Sequence, residues 1–187
     1  MVKALVLVAI IIVLWWLLFT EKDNHVSIKV DDGINITPEQ IQSIRDIGQW
    51  EFLSVSNEEL VDTIRKGIFS NDQLVRIYYG TLRIGVDLSK TKPGWLSAHG
   101  DTVVVKLPKV GLLDKEFIDE TRTKAFYESG RWTARDREAL YRKAQRQMLG
   151  HALTKQNLKT AEANAEEQMR HLLQAMGYNN ITITFEK

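Results

Sequence analysis

The sequence contains no cysteine, which excludes disulfides, iron–sulfur clusters and a thiol nucleophile and leaves packing to stabilise whatever folds. Histidine is scarce too. His25, His99, His151 and His171 are scattered, and no two stand at metal-ligand spacing beside a suitable carboxylate, so nothing here points to a zinc or di-iron site. An excess of one charge is also missing. With 25 basic and 24 acidic side chains the net charge is +1, and there is no global field that would call for nucleic acid or a polyanionic substrate. A phosphate loop is lacking as well. Gly80 and Gly85 stand five apart, but no Lys-Ser/Thr pair follows, and they sit in a run of strand formers rather than before a helix. No cofactor is expected.

One long hydrophobic run is present. Ala4 to Phe19 has no charged or polar side chain, and with its flanks it reaches about twenty residues, roughly 30 Å as a helix. It ends in Trp15, Trp16, Leu17, Leu18 and Phe19, all too bulky for a signal-peptidase site, so the run predicts an uncleaved anchor. Trp15 and Trp16 suit an interfacial belt, and Lys3 places positive charge on the short side. The expectation is a transmembrane signal anchor over residues 1–22, contacting the bilayer through residues 4–19. Its N-terminus would be cytoplasmic, and residues 23–187 would form one domain on the extracytoplasmic side.

Within that domain, His25 to Val30 alternates with the period of a strand. Thr37-Pro38-Glu39-Gln40 carries a cap, a proline at the first helical position and a capping-box glutamine, which predicts a short helix ending near Gly48. Trp50 to Val55 reads as extended. Ser56-Asn57-Glu58-Glu59 reads as a second capping box, with Leu60, Val61 and Ile64 as the apolar face of a second short helix and Gly67 as its stop. Leu74 to Leu88 reads as a strand whose apolar set changes phase at Gly80, and this predicts a bulge there. After a loop over Lys90 to Asp101, Thr102 to Leu107 reads as a strand pairing antiparallel with it. Residues 134–176 are helical in pattern, with a predicted break at 150–157 where Gly150 loosens the helix and Thr154 can cap a new one. Asn180 to Glu186 closes as a strand. The expected class is α+β, with a mainly antiparallel sheet, two short helices and a long, broken C-terminal helical segment.

Two features offer chemistry. Asp114, Glu116, Asp119 and Glu120 gather carboxylates that could in principle work as acid and base, although an acidic run opening a helix ordinarily serves its dipole. Arg122 to Arg146 carries eight basic residues against three acidic ones, with Phe126, Tyr127, Trp132 and Tyr141 interleaved. Such a stretch can grip anionic headgroups or a charged polymer. From it, Arg131, Trp132, Arg135, Arg142, Lys143 and Arg146 are candidate contact residues. Trp95 and Leu96, apolar in the predicted loop, are two more.

The run Tyr79-Gly80-Thr81-Leu82-Arg83-Ile84-Gly85-Val86-Asp87-Leu88-Ser89, the strand end Lys106-Leu107-Pro108 and the helical stretch closing in Met176-Gly177-Tyr178 resemble a bacterial domain-of-unknown-function family of mostly single-pass membrane proteins. The resemblance implies an architecture, a bacterial source and a surface location, and no catalytic residue. The functional expectation is a non-enzymatic, membrane-tethered module of the cell envelope whose partner is an unidentified envelope protein or polymer, and not nucleic acid. The alternative is an envelope hydrolase or a binder of anionic polymer or lipid that uses Asp114 to Glu120 or the basic stretch.

Overall fold

The computed structural model describes residues 36–186. The expected anchor and the strand at His25 to Val30 lie outside the described residues. Among those described, no helix is long and apolar enough to cross a membrane.

The chain enters through α1 (Pro38–Arg45). Thr37 accepts from the Gln40 backbone N–H, and the Gln40 side chain accepts from that of Thr37, as the capping box predicts. Two long strands follow. β1 (Gln49–Lys66) and β2 (Asn71–Asp87) form one antiparallel hairpin, with Gln49 opposite Asp87 at its base and Lys66 opposite Asn71 at its end. Eighteen residues at about 3.3 Å each make this element roughly 60 Å long. The second predicted short helix is therefore absent, residues 56–66 belong to β1 and Gly67 opens the turn. The capping-box residues are present, but pairing of the whole segment along β2 supplies every residue with a partner strand, and a local cap cannot match that.

The phase change at Gly80 also resolves differently. The core-facing side of β2 keeps one alternation through Leu74, Arg76, Tyr78, Gly80, Leu82, Ile84 and Val86, all buried except the half-buried Arg76, while Ile77 and Tyr79 belong to the opposite face. The β1–β2 bulge lies at Phe52, where the register slips between Glu51 and Leu53. A side chain at Gly85 would meet the Trp50 carbonyl there at 2.0 Å, so glycine permits the close approach. The Phe52 carbonyl freed by the bulge accepts from Asn164 at 2.9 Å.

After a 3₁₀ turn at Leu88–Lys90, β3 (Leu96–His99) and β4 (Thr102–Leu107) form a second hairpin. β4 does not pair with β2. It pairs in parallel with β7 (Asn180–Phe185), giving a three-stranded sheet in the order β3-β4-β7. The first sheet is completed by the short β5 (Gly111–Leu112), beside the base of β2, and by β6 (Ile118–Glu128), beside its outer half. Then come α2 (Ala134–Ala152) and α3 (Lys155–Ala175), broken where predicted, with Thr154 accepting from the Asn157 N–H as the second N-cap. Gly177, at φ +98°, takes the left-handed conformation that ends α3.

Two apolar cores result. The first joins the hairpin base, the β3-β4-β7 sheet, α1 and α3, with Ile84, Val86, Leu107, Met169 and Leu173 at its centre. The second lies between the outer hairpin, β6 and α2, around Val61, Leu74, Tyr78, Leu82, Leu140 and Met148. Both helices face the sheets with alanines, Ala144 and Ala152 in α2 and Ala161 and Ala165 in α3. Small residues at these positions let helix and sheet approach closely.

Candidate interaction surface

The predicted contact residues do not form one patch. Trp95 and Leu96 are buried in the first core. The Trp95 N–H donates to Lys92 O, and its carbonyl accepts from Lys106, so the segment read as an exposed loop folds into the edge of the second hairpin. They are packing residues.

The basic stretch divides between β6 and α2, and much of its charge is internally neutralised. Arg142 pairs with Glu138 one helical turn away at 2.8 Å, and Arg137 makes two hydrogen bonds to Glu128, at 2.6 and 3.1 Å. Lys143 reaches across to Asp62 of β1, donating to its carbonyl at 2.9 Å. Trp132 packs against the second core, gives its ring N–H to Ser129 O at 2.7 Å and is covered by the Arg65 guanidinium 4.5 Å above its ring. Arg131, Arg135 and Arg146 make no ion pair among the described residues.

The carboxylates are likewise spread out. Asp114 shares Arg83 with Glu51. Asp119 accepts from the Thr121 hydroxyl and from the Thr121 and Arg122 N–H groups, and these bonds hold its carboxyl below the usual range. Glu116 lies in a shallow depression beside Asp119, and Glu120 lines a different cavity. These four acids do not line one cleft.

What the outer hairpin presents was not anticipated. Its turn, Gly67 to Ser70, carries Ile68 and Phe69, which are 94% and 100% exposed. Behind the turn, register pairs Leu60 with Ile77 and Val75 with Tyr127, placing them on the face opposite α2. Leu60, Ile64, Phe126 and Tyr127 are each more than half exposed. An apolar band thus runs from the turn along the outward face of the sheet, where water should favour polar residues. Lys66 and Arg131 lie close to it, the Arg131 carbonyl being bonded to Arg65 at 2.8 Å. The signal was in the sequence, since an Ile-Phe pair between Gly67 and Ser70 is turn composition carrying apolar residues. Reading Gly67 as a helix stop concealed it.

A family model described as protein of unknown function (DUF4230) matches residues 42–183. No curated protein and no solved structure matches the chain.

Proposed function

On the premise that the chain belongs to this family of unknown function (DUF4230), we propose that it is a non-enzymatic, membrane-tethered module of the cell envelope whose hairpin end makes a second contact with the membrane surface. The observation that carries this is the fully exposed Ile68-Phe69 pair at the end of a hairpin about 60 Å long. A loop that holds an isoleucine and a phenylalanine in water gains by seating them at the headgroup–acyl boundary, and Lys66 and Arg131 beside them suit anionic headgroups. The apolar run Ala4 to Phe19 supplies the tether. Catalysis by Asp114 to Glu120 has no support, because their partners and positions differ.

The cysteine-free background makes the test direct. A single cysteine replacing Phe69 in the full-length protein, labelled with an environment-sensitive fluorophore and reconstituted in liposomes containing anionic lipid, should shift its emission to the blue. It should also be quenched by lipid-borne quenchers. Emission equal to that of the same label at an exposed control such as Glu167, with no quenching, overturns the membrane contact.

A further inference from the structure

The second core is incomplete on one side, and charged and hydroxyl groups line the gap together with aromatic rings. A cavity of about 290 Å³ opens between β2, β6 and the first turns of α2. Its β2 wall is Arg76 and Tyr78, on the strand face that elsewhere carries Leu74, Gly80 and Leu82. Arg76 therefore stands in a core-facing position. Its Nε is shielded from solvent and has no hydrogen-bond partner, and the side chain makes no ion pair among the described residues. Tyr78 is 2% exposed, and its hydroxyl is also without a partner. The Arg76 guanidinium stands 5.8 Å from the Tyr78 ring centroid, but that contact supplies no acceptor for Nε and no partner for the hydroxyl, and two polar atoms shielded from water without a partner are costly.

The other walls account for their own charges. Arg137 is held by both oxygens of Glu128, and Glu138 is held by Arg142. Tyr141 stands edge-on to Tyr78, with ring centroids 6.0 Å apart. The remaining side is made by β6, which slips register between its pairs with Ile77 and Tyr79, where Lys124 and Asp119 are the partners. The intervening residues bulge, and Glu120 and Thr123 of this bulge line the cavity. A bulge is a common means of aiming side chains at a site.

We infer that this cavity binds a compact anion, with a carboxylate or phosphate group seated on Arg76 and the Tyr78 hydroxyl. A guanidinium and a phenol present the donors such a group accepts, and binding would satisfy both unpaired groups at once. Burial pushes the Tyr78 phenol up, against the opposing effect of Arg76, so it remains a donor. The volume admits a ligand of few atoms. Glu120, a carboxylate without an ion-pair partner among the described residues, selects against a polyanion and for a ligand whose far side donates.

The test is thermal unfolding of the full-length protein in detergent, titrated with inorganic phosphate or with acetate at ionic strength held constant with sodium chloride. The expected result is a rise in Tm with one or both probes, and the two arms separate phosphate from carboxylate recognition. Arg76→Met, which keeps the volume and removes the charge, should weaken that response roughly tenfold or more in apparent Kd. Arg135→Met, outside the cavity, should leave it intact. If Arg76→Met does not fold, Tyr78→Phe decides, with a weakened response expected. No rise with either probe in the wild type overturns the site, and so does a rise that Arg76→Met, or Tyr78→Phe in its place, leaves unchanged.

Discussion

The hairpin base and the hairpin end belong to the same two strands, yet they are built for different purposes. At the base the sheet shares one core with α3 and the separate β3-β4-β7 sheet, and Ile84, Val86, Leu88, Val103, Val105, Leu107 and Leu173 have no exposed surface. At the end α2 covers one face only. The opposite face carries Leu60, Ile64 and Tyr127 in water, the turn carries Ile68 and Phe69, and the core beneath includes the unpaired Arg76 and Tyr78. In a chain without catalytic motifs, function is to be sought at the end. Among the described residues the base leaves one buried side-chain polar atom without a partner, the Tyr178 hydroxyl, whereas the end combines two such atoms with exposed apolar side chains, and that combination marks a surface that something else completes.

The largest effect is expected from damage to the closed half. Leu173→Ala removes a wholly buried side chain from a core that is packed on all sides, and it should cost about 2–5 kcal/mol in urea unfolding. Leu60→Ala, the same kind of truncation on the outward face of the same sheet, should change stability by no more than about 0.5 kcal/mol. Equal losses at the two positions would mean that the outer face is covered.

Gly80→Ala probes the seam between β2, β6 and α2. The added methyl would stand 2.9 Å from the Phe117 carbonyl and 3.1 Å from the Met148 sulfur. Met148 can give way and the backbone of Phe117 cannot easily do so, and the expected loss is about 1–3 kcal/mol. A smaller step is expected at the junction of the helices. Thr154→Ala removes the hydroxyl that accepts from Asn157 and should cost about 1 kcal/mol, measured by the same unfolding curve.

That junction was legible in the sequence because its signal is local. Gly150 loosens the helix two residues before α2 ends and Thr154 caps the next one, and the apolar stripe through Leu140, Ala144 and Met148 resumes at Leu158, Ala161 and Ala165. The α1 box and the closing β7 strand were local in the same way. What could not be read was pairing at a distance. Leu60, Val61 and Ile64 fit a helical face, and only Ile77, Arg76 and Gln73 opposite them make the segment a strand. The partner of β4 lies about eighty residues away at β7, as Val105 opposite Ile183 shows, and no spacing rule announces it. The hairpin end was hidden by the same misreading, and Trp95 and Leu96 looked like a surface because their covering comes from elements remote in sequence. Charge pairing was partly visible: Glu138 with Arg142 follows from helical spacing, whereas Lys143 with Asp62 does not.

Acid should loosen the two halves unequally. Asp136 is held below its ordinary value of 3.8, first by the Thr133 backbone N–H and then by the Thr133 hydroxyl, with Arg65 adding to the effect. Glu128 is held below 4.5, chiefly by its hydrogen bonds from Arg137. Asp119 is lowered as well, while among the described residues of the base only Asp87 is, chiefly through the Ser89 hydroxyl. A carboxylate whose folded pKa is depressed contributes stability that is fully present above its unfolded value and is lost as pH falls through the folded one. Three of these four groups tie down the outer half, so lowering the pH below about 4.5 should raise amide exchange there before it does in the β3-β4-β7 sheet. Asp136→Asn should remove part of that pH dependence.

The smallest stability effect is expected where the functional effect is largest. Ile68→Ser with Phe69→Ser alters two side chains that have no buried surface to lose, so the unfolding midpoint should stay within about 0.5 kcal/mol of the wild type while the quenching by lipid-borne probes disappears at a neighbouring label on Ser70. A membrane contact needs apolar area at the turn, and serine supplies none. If quenching persists in the double variant, the outward face of Leu60, Ile64 and Tyr127 must carry the contact instead, and Leu60→Ser with Ile64→Ser is then the variant that removes it. If stability falls instead, the turn packs against something within the domain, and the contrast between a closed base and an open end fails at the position where it was drawn most strongly.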